Sequence, residues 1–203
     1  MQKRVLERHM LCHQEATLMC DQCGYKCRRK QDLARHVRAM HTGKVRRRRH
    51  EEFIATLFRN VGVIFIREFV IRVATYAGRK FARIDFYIEM AWGDLYVECD
   101  EAQHQVIAIG DECKRMAAIW WHHRQCKPDR RLHIVRFNPT AYKEDGRIER
   151  ATEDEQKESL LQALAYVPEA PFTISYLFYR VVNGQPAVTL DTDYTLREYV
   201  RIV

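Results

Sequence analysis

The sequence predicts an α/β protein of the α+β kind, a mixed sheet with helices against it, behind a small ββα module. Three observations point there. Two strand-like runs, 83–89 and 94–101, alternate apolar and polar residues around Trp92-Gly93-Asp94, a hairpin pattern. A helix-period run at roughly 111–125 links the second of them to Leu132-His133-Ile134-Val135-Arg136-Phe137, so the flanking strands should be parallel neighbours. Finally, the first 50 residues carry 14 Lys and Arg against 4 Asp and Glu, whereas the rest carry 20 against 23.

A chain of 203 residues with 47% apolar and 30% charged side chains can form one ordinary domain plus an appendage. Its most apolar stretch, Val61 to Ile66, is broken by Arg67 and Glu68, so a membrane-spanning helix is not expected. The first twenty residues lack the apolar core of a secretory signal. Seven cysteines, at 12, 20, 23, 27, 99, 113 and 126, are odd in number and unevenly spread, which favours metal ligation or reduced thiols over a disulfide framework. The expectation is an intracellular, reducing compartment. A basic head on a mildly acidic body suits a phosphate backbone as partner.

The head is ordered around metal-ligand spacing. Cys20 and Cys23, then His36 twelve residues later and His41 four beyond it, form C-x2-C-x12-H-x4-H, the spacing of a tetrahedral zinc site. The cysteine pair sits on a knuckle between short strands, and histidines five apart reach one ion from a helix. Leu33 supplies an apolar plug, and Thr42-Gly43-Lys44 reads as a helix stop. The segment, with its core at 18–43, resembles a two-Cys, two-His zinc finger, except that Cys27 stands where an aromatic is usual. Cys12 and His13 have no matching downstream pair and are not assigned as ligands. The resemblance implies structural Zn2+ and base-reading positions at Arg29, Asp32 and Arg35, the arginines suiting guanine edges. Lys44, Arg46, Arg47, Arg48 and Arg49, in a basic linker at 44–50, suit phosphate tracking, a nuclear localisation signal or a plain connector.

In 51–203, Phe53, Ile54, Leu57 and Phe58 have helical spacing, ended by Asn60-Val61-Gly62. Val63–Ile66 and Phe69–Ile71 read as buried strand. In the hairpin, odd-sum pairing places Asp85 opposite Glu98 or Asp100, so Asp85, Glu98 and Asp100 are expected on one face. Three carboxylates gathered there favour a hard cation, Mg2+ or Mn2+. Met116, Ile119 and Trp120 read as core. His122, His123, Cys126 and His133 form a weaker candidate zinc set. An acidic helix at about 153–165 precedes a final hairpin, 173–180 with 186–190, around Asn183-Gly184.

Asp85-Phe86, Glu98-Cys99-Asp100-Glu101-Ala102-Gln103-His104 and Arg136-Phe137-Asn138-Pro139 resemble the restriction-endonuclease-like superfamily, signature PD-(D/E)XK, in its very-short-patch-repair branch. The likeness covers 51–139. It implies a metal-dependent endonuclease acting on DNA, with Glu51 or Glu52 as an outer first-helix acid. Asp100 replaces the superfamily lysine, whose role would pass to His104, with Lys114 and Arg115 behind it. The finger–nuclease combination is similar to proteins of large DNA viruses and mobile elements, for which the nucleus or a site of viral DNA replication is a compatible location. Two other functions compete: an inactive nuclease fold that still binds nucleic acid, and a finger that contacts proteins.

Overall fold

The computed structural model describes residues 18–19, 26–27, 29–37, 43–76, 78–100, 108–144 and 147–201. The chain divides into two compact units, Met1–His50 and Glu51–Val203.

In the first unit, strands β1 (Leu18–Met19) and β2 (Lys26–Cys27) pair antiparallel and precede helix α1 (Lys30–Val37). Arg29 donates to Asp32 at 2.9 Å, and Asp32 sits in the first helical turn, where the helix dipole favours an acid. Cys27 is buried with its Sγ 3.5 Å from the Arg29 carbonyl, so a small apolar thiol fills the position where an aromatic was expected. Helix α2 (Gly43–Asn60) starts earlier than the apolar spacing indicated. Residues 43–50, read from the sequence as a helix stop and basic connector, are helical. Lysine and arginine are good helix formers, so charge periodicity hid a favourable backbone propensity. The helix ends at Asn60, where Gly62 adopts φ 75° and the Val63 N–H bonds the Phe58 carbonyl.

The second unit is built on a six-stranded mixed sheet. Its strands are β3 (Ile66–Tyr76), β4 (Arg79–Met90), β5 (Gly93–Cys99), β6 (Arg131–Phe137), β9 (Phe172–Leu177) and β12 (Val200–Arg201), in the order β12-β9-β6-β5-β4-β3. The pairs β3–β4 and β4–β5 are antiparallel, and β5, β6, β9 and β12 are parallel. Helix α3 (Ile109–Cys126) crosses from β5 to β6, and α4 (Glu153–Ala165) from β6 to β9. Thr152 caps α4 in a reciprocal capping box with Glu155. Two small hairpins, β7–β8 (Tyr142–Glu144 with Arg147–Glu149) and β10–β11 (Val181–Val182 with Gln185–Pro186), decorate this frame.

The C-terminal part departs from the predicted final hairpin. Phe172–Leu177 enters the main sheet parallel to β6, Asn183 and Gly184 turn only the two-residue pair β10–β11, and Ala187–Leu190 is a 3-10 turn. Local turn chemistry was read correctly there, but the long-range partner of β9 leaves no local signature. Likewise β3 is an edge strand, alternately exposed, rather than buried.

Each face of the sheet has its own core. On one side Cys113, Met116 and Ile119 of α3 pack with Ile71, Val73, Ala82, Ile84, Tyr96, Ile134 and Ile174. On the other, Ile54, Ala55 and Phe58 of α2 and Leu160 of α4 pack with Phe86, Ile88, Leu95, Val97, Val135 and Phe137. Regular pleating sends residues two apart to the same face. Here Ile84 joins the α3 core and Phe86 the α2 core; on β3, Phe69 packs toward α3 while Phe65 packs toward α2. The hairpin therefore changes face at Glu68 and Asp85, and Glu68 carries the irregularity as a φ of 53°.

Candidate functional site

Three acids meet at that change of face. Carboxylate oxygens of Glu51 (α2), Glu68 (β3) and Asp85 (β4) lie within 4.8 Å of one another; Glu51 and Asp85 are buried, and Glu68 is half-exposed. Carboxylates this close repel when ionised. Guanidiniums offset part of that repulsion: Arg67 reaches Glu51 at 3.4 Å and Arg83 reaches Glu68 at 2.9 Å. Asp85 also accepts the Cys99 N–H at 2.9 Å. Because α2 begins at Gly43, Glu51 is an interior helix residue; burial against the sheet, not the helix dipole, sets its place. The donor set is all hard oxygen, which fits a magnesium- or manganese-sized cation.

Glu98 and Asp100 have different partners. The β4–β5 register runs Phe86 opposite Val97 and Ile88 opposite Leu95, which continues to Asp85 opposite Glu98, as the turn arithmetic required. Asp85 groups with Glu51 and Glu68, whereas Glu98 is paired with Arg115 of α3 while still feeling the charges of Asp85 and Asp100. Glu98 is bound by Arg115 at 2.9 Å, and Arg115 also holds Glu112 at 2.8 Å. Asp100 is held by Arg136 and, at 2.6 Å, by the Tyr179 hydroxyl, while Arg136 also bonds Glu112. Two guanidiniums thus serve three carboxylates, of which Glu98 and Asp100 are buried and Glu112 is 12% exposed. Burial pushes the Glu98 carboxyl up to about 8; Arg115 opposes this, and the nearby Asp85 charge adds to it. Burial would lower the Arg115 and Arg136 guanidiniums, but their carboxylates outweigh it and raise them further.

The remaining predicted residues fall as follows. Cys20, Cys23, His41 and His104 lie outside the described residues. Arg35, His36, Lys44, Arg46, Arg47 and Arg48 lie on described helical backbone, in α1 or α2, and Arg49 is exposed. Lys114 turns to Asp111 at 3.6 Å, which leaves Arg115 as the described cation beside Glu98. The set His122, His123, Cys126 and His133 does not converge. His123 bonds Asp94 at 2.8 Å under α3, whereas His133 bonds Ser175 at 2.9 Å and its ring faces Tyr166 after α4. Burial keeps His133 neutral, its pKa down at about 3. Burial disfavours the Asp94 carboxylate, but hydrogen bonds from His123 and Lys127 outweigh that and hold it down at about 2.

Sequence reasoning missed Glu68, Glu112, Arg136 and Tyr179. Glu68 depends on a left-handed backbone residue that alternation does not signal, and Tyr179 belongs to the C-terminal segment, which packs back against the strand-β5 terminus. That segment and the first turn of α3 also border a cleft of about 1090 Å³, lined by Glu112, Arg136, Tyr176, Tyr179 and Tyr194.

Comparison with known protein families, curated proteins and solved structures finds no match to this chain. No helix among the described residues is long and apolar enough to cross a membrane.

Proposed function

We propose that the chain is a divalent-metal-dependent endonuclease of the restriction-endonuclease-like kind, brought to DNA by an N-terminal two-Cys, two-His zinc finger and the basic segment 44–49. The convergence of Glu51, Glu68 and Asp85 carries this reading, since it gathers oxygen donors from a helix and two strands at one partly open point. These residues would hold Mg2+ or Mn2+, which when bound supplies an activated water and offsets charge on the attacked phosphate. Glu98, with its carboxyl raised to about 8, can hold a proton near neutral pH beside that point. Arg115 positions Glu98 and is the cation that stands in for the absent superfamily lysine. Zinc would be held by Cys20, Cys23, His36 and His41, which rests on their spacing.

A second reading has its own support: Glu98 and Asp100 are already engaged by Arg115 and Arg136, as in a fold that binds nucleic acid without cutting it. Incubation of pure protein with plasmid and structured DNA, with and without magnesium, separates the two. Cleavage should require the metal and fall at least about a hundredfold in Asp85→Ala, while Glu89→Ala, an exposed acid facing Arg130, cleaves like the parent. Metal-independent cleavage, or an active Asp85→Ala, overturns the nuclease reading.

A further inference from the structure

Beyond the acids, the distal half of the β3–β4 hairpin presents an unusual outer face. Its inner face, Phe69, Ile71, Val73, Ala82 and Ile84, packs on the α3 core. Its outer face carries Val70 and Phe81, 57% and 53% exposed, with exposed Arg72 and Arg83. Cross-strand register pairs Arg72 with Phe81 and Val70 with Arg83. The Arg72 guanidinium lies 5.7 Å from the Phe81 ring centroid.

The order of these pairs is informative. Same-face rows repeat every two residues, about 6.6 to 6.8 Å along a strand. From the tip, the rows run Arg72 with Phe81, then Val70 with Arg83, and the continuing register brings Glu68 opposite Asp85. A cationic, partly aromatic track thus leads into the acid cluster, and Arg83 already bridges to Glu68. Guanidiniums suit phosphates, and an exposed ring suits the face of a base that is not stacked in a duplex. Val70 and Phe81 alone make too small an apolar patch for a membrane, and the positive charge of the face disfavours a basic or neutral protein partner.

We propose that the outer face of the β3–β4 hairpin is a docking track for an unpaired nucleic-acid strand, with Arg72 and Arg83 on its phosphates and Phe81 against a base, delivering a phosphodiester to Glu51, Glu68 and Asp85. This rests on the nuclease reading for the role of the acids but is tested without cleavage.

The test is binding of the full-length, zinc-loaded chain to labelled single-stranded and duplex oligonucleotides without added magnesium or manganese, followed by fluorescence anisotropy across a salt series. Arg72→Ala should weaken single-strand binding and flatten the slope of log K against log salt by about 0.7. Phe81→Ala should weaken single-strand binding about tenfold and duplex binding much less. Thermal unfolding midpoints matching the parent establish that both variants are folded. Unchanged affinity and slope in both variants overturn the proposal, as does equal loss for duplex and single strand. A parent dimer that Phe81→Ala dissociates overturns it too, since the face would then belong to a second copy on the edge strand. If these variants lose binding but the parent never cleaves, the track stands and the nuclease reading fails. If Asp85→Ala abolishes metal-dependent cleavage while both track variants bind normally, the reverse holds.

Discussion

Glu98 shows how one buried residue records the charge balance around it. Its carboxyl ordinarily titrates near 4.5 and is raised to about 8 in the folded chain. The folded state therefore prefers the protonated form. Its contribution to stability is complete below pH 4.5 and is lost as pH rises through 8. His133 acts in the opposite sense: with its pKa lowered to about 3, its contribution is present above pH 6.5 and is lost as pH falls through 3. Of these two groups, only Glu98 changes its contribution between pH 6.5 and 8. There, urea unfolding of metal-free parent protein should show a loss of about 2 kcal/mol attributable to this group, and Glu98→Gln should remove that slope. A Glu98→Gln variant that keeps the parent slope would mean that Arg115 holds Glu98 ionised throughout.

At the scale of elements, the tightest steric demand at any described glycine lies where β5 begins. A side chain at Gly93 would place its Cβ 2.2 Å from the Arg131 carbonyl oxygen on parallel neighbour β6. Since the clash is with backbone, Gly93→Ala should cost about 1 to 3 kcal/mol, read as a lowered thermal midpoint. A midpoint equal to the parent's would show that β6 moves aside easily. The same elements mark what sequence could reveal. Helix α4 and the β4–β5 turn were legible because 3.6- and two-residue periods and a short loop are local properties. The parallel placement of β6 followed from the crossover rule. The meeting of Asp85 with Glu51 and Glu68 depends on a left-handed Glu68 that alternation does not signal, while the charges of Asp85 and Asp100 still reach Glu98. Glu51, or Glu52 beside it, is indicated only by the resemblance, as a first-helix acid, and the helix itself starts two turns earlier than its apolar residues show.

For the whole molecule, the unit Glu51–Val203 contains both hydrophobic cores and does not draw on the metal-ligand spacing of the head. Elemental analysis should therefore find zinc in the parent and its loss in Cys23→Ser, with the cooperative unfolding of the larger unit unchanged. Zinc retained stoichiometrically in that variant would remove Cys23 from the ligand set. Within the larger unit, the change of face at Glu68 and Asp85 has a mechanical consequence. One continuous ribbon serves as a wall of both cores, crossing from one to the other at the acids. A shift of α2 against the sheet, or of α3 on the other side, must pass through that crossing and alter the spacing of the carboxylates. Substitutions deep in either core are thereby coupled to the spacing of these three carboxylates, and the acid cluster marks the point where the two halves of the sheet are kept in phase.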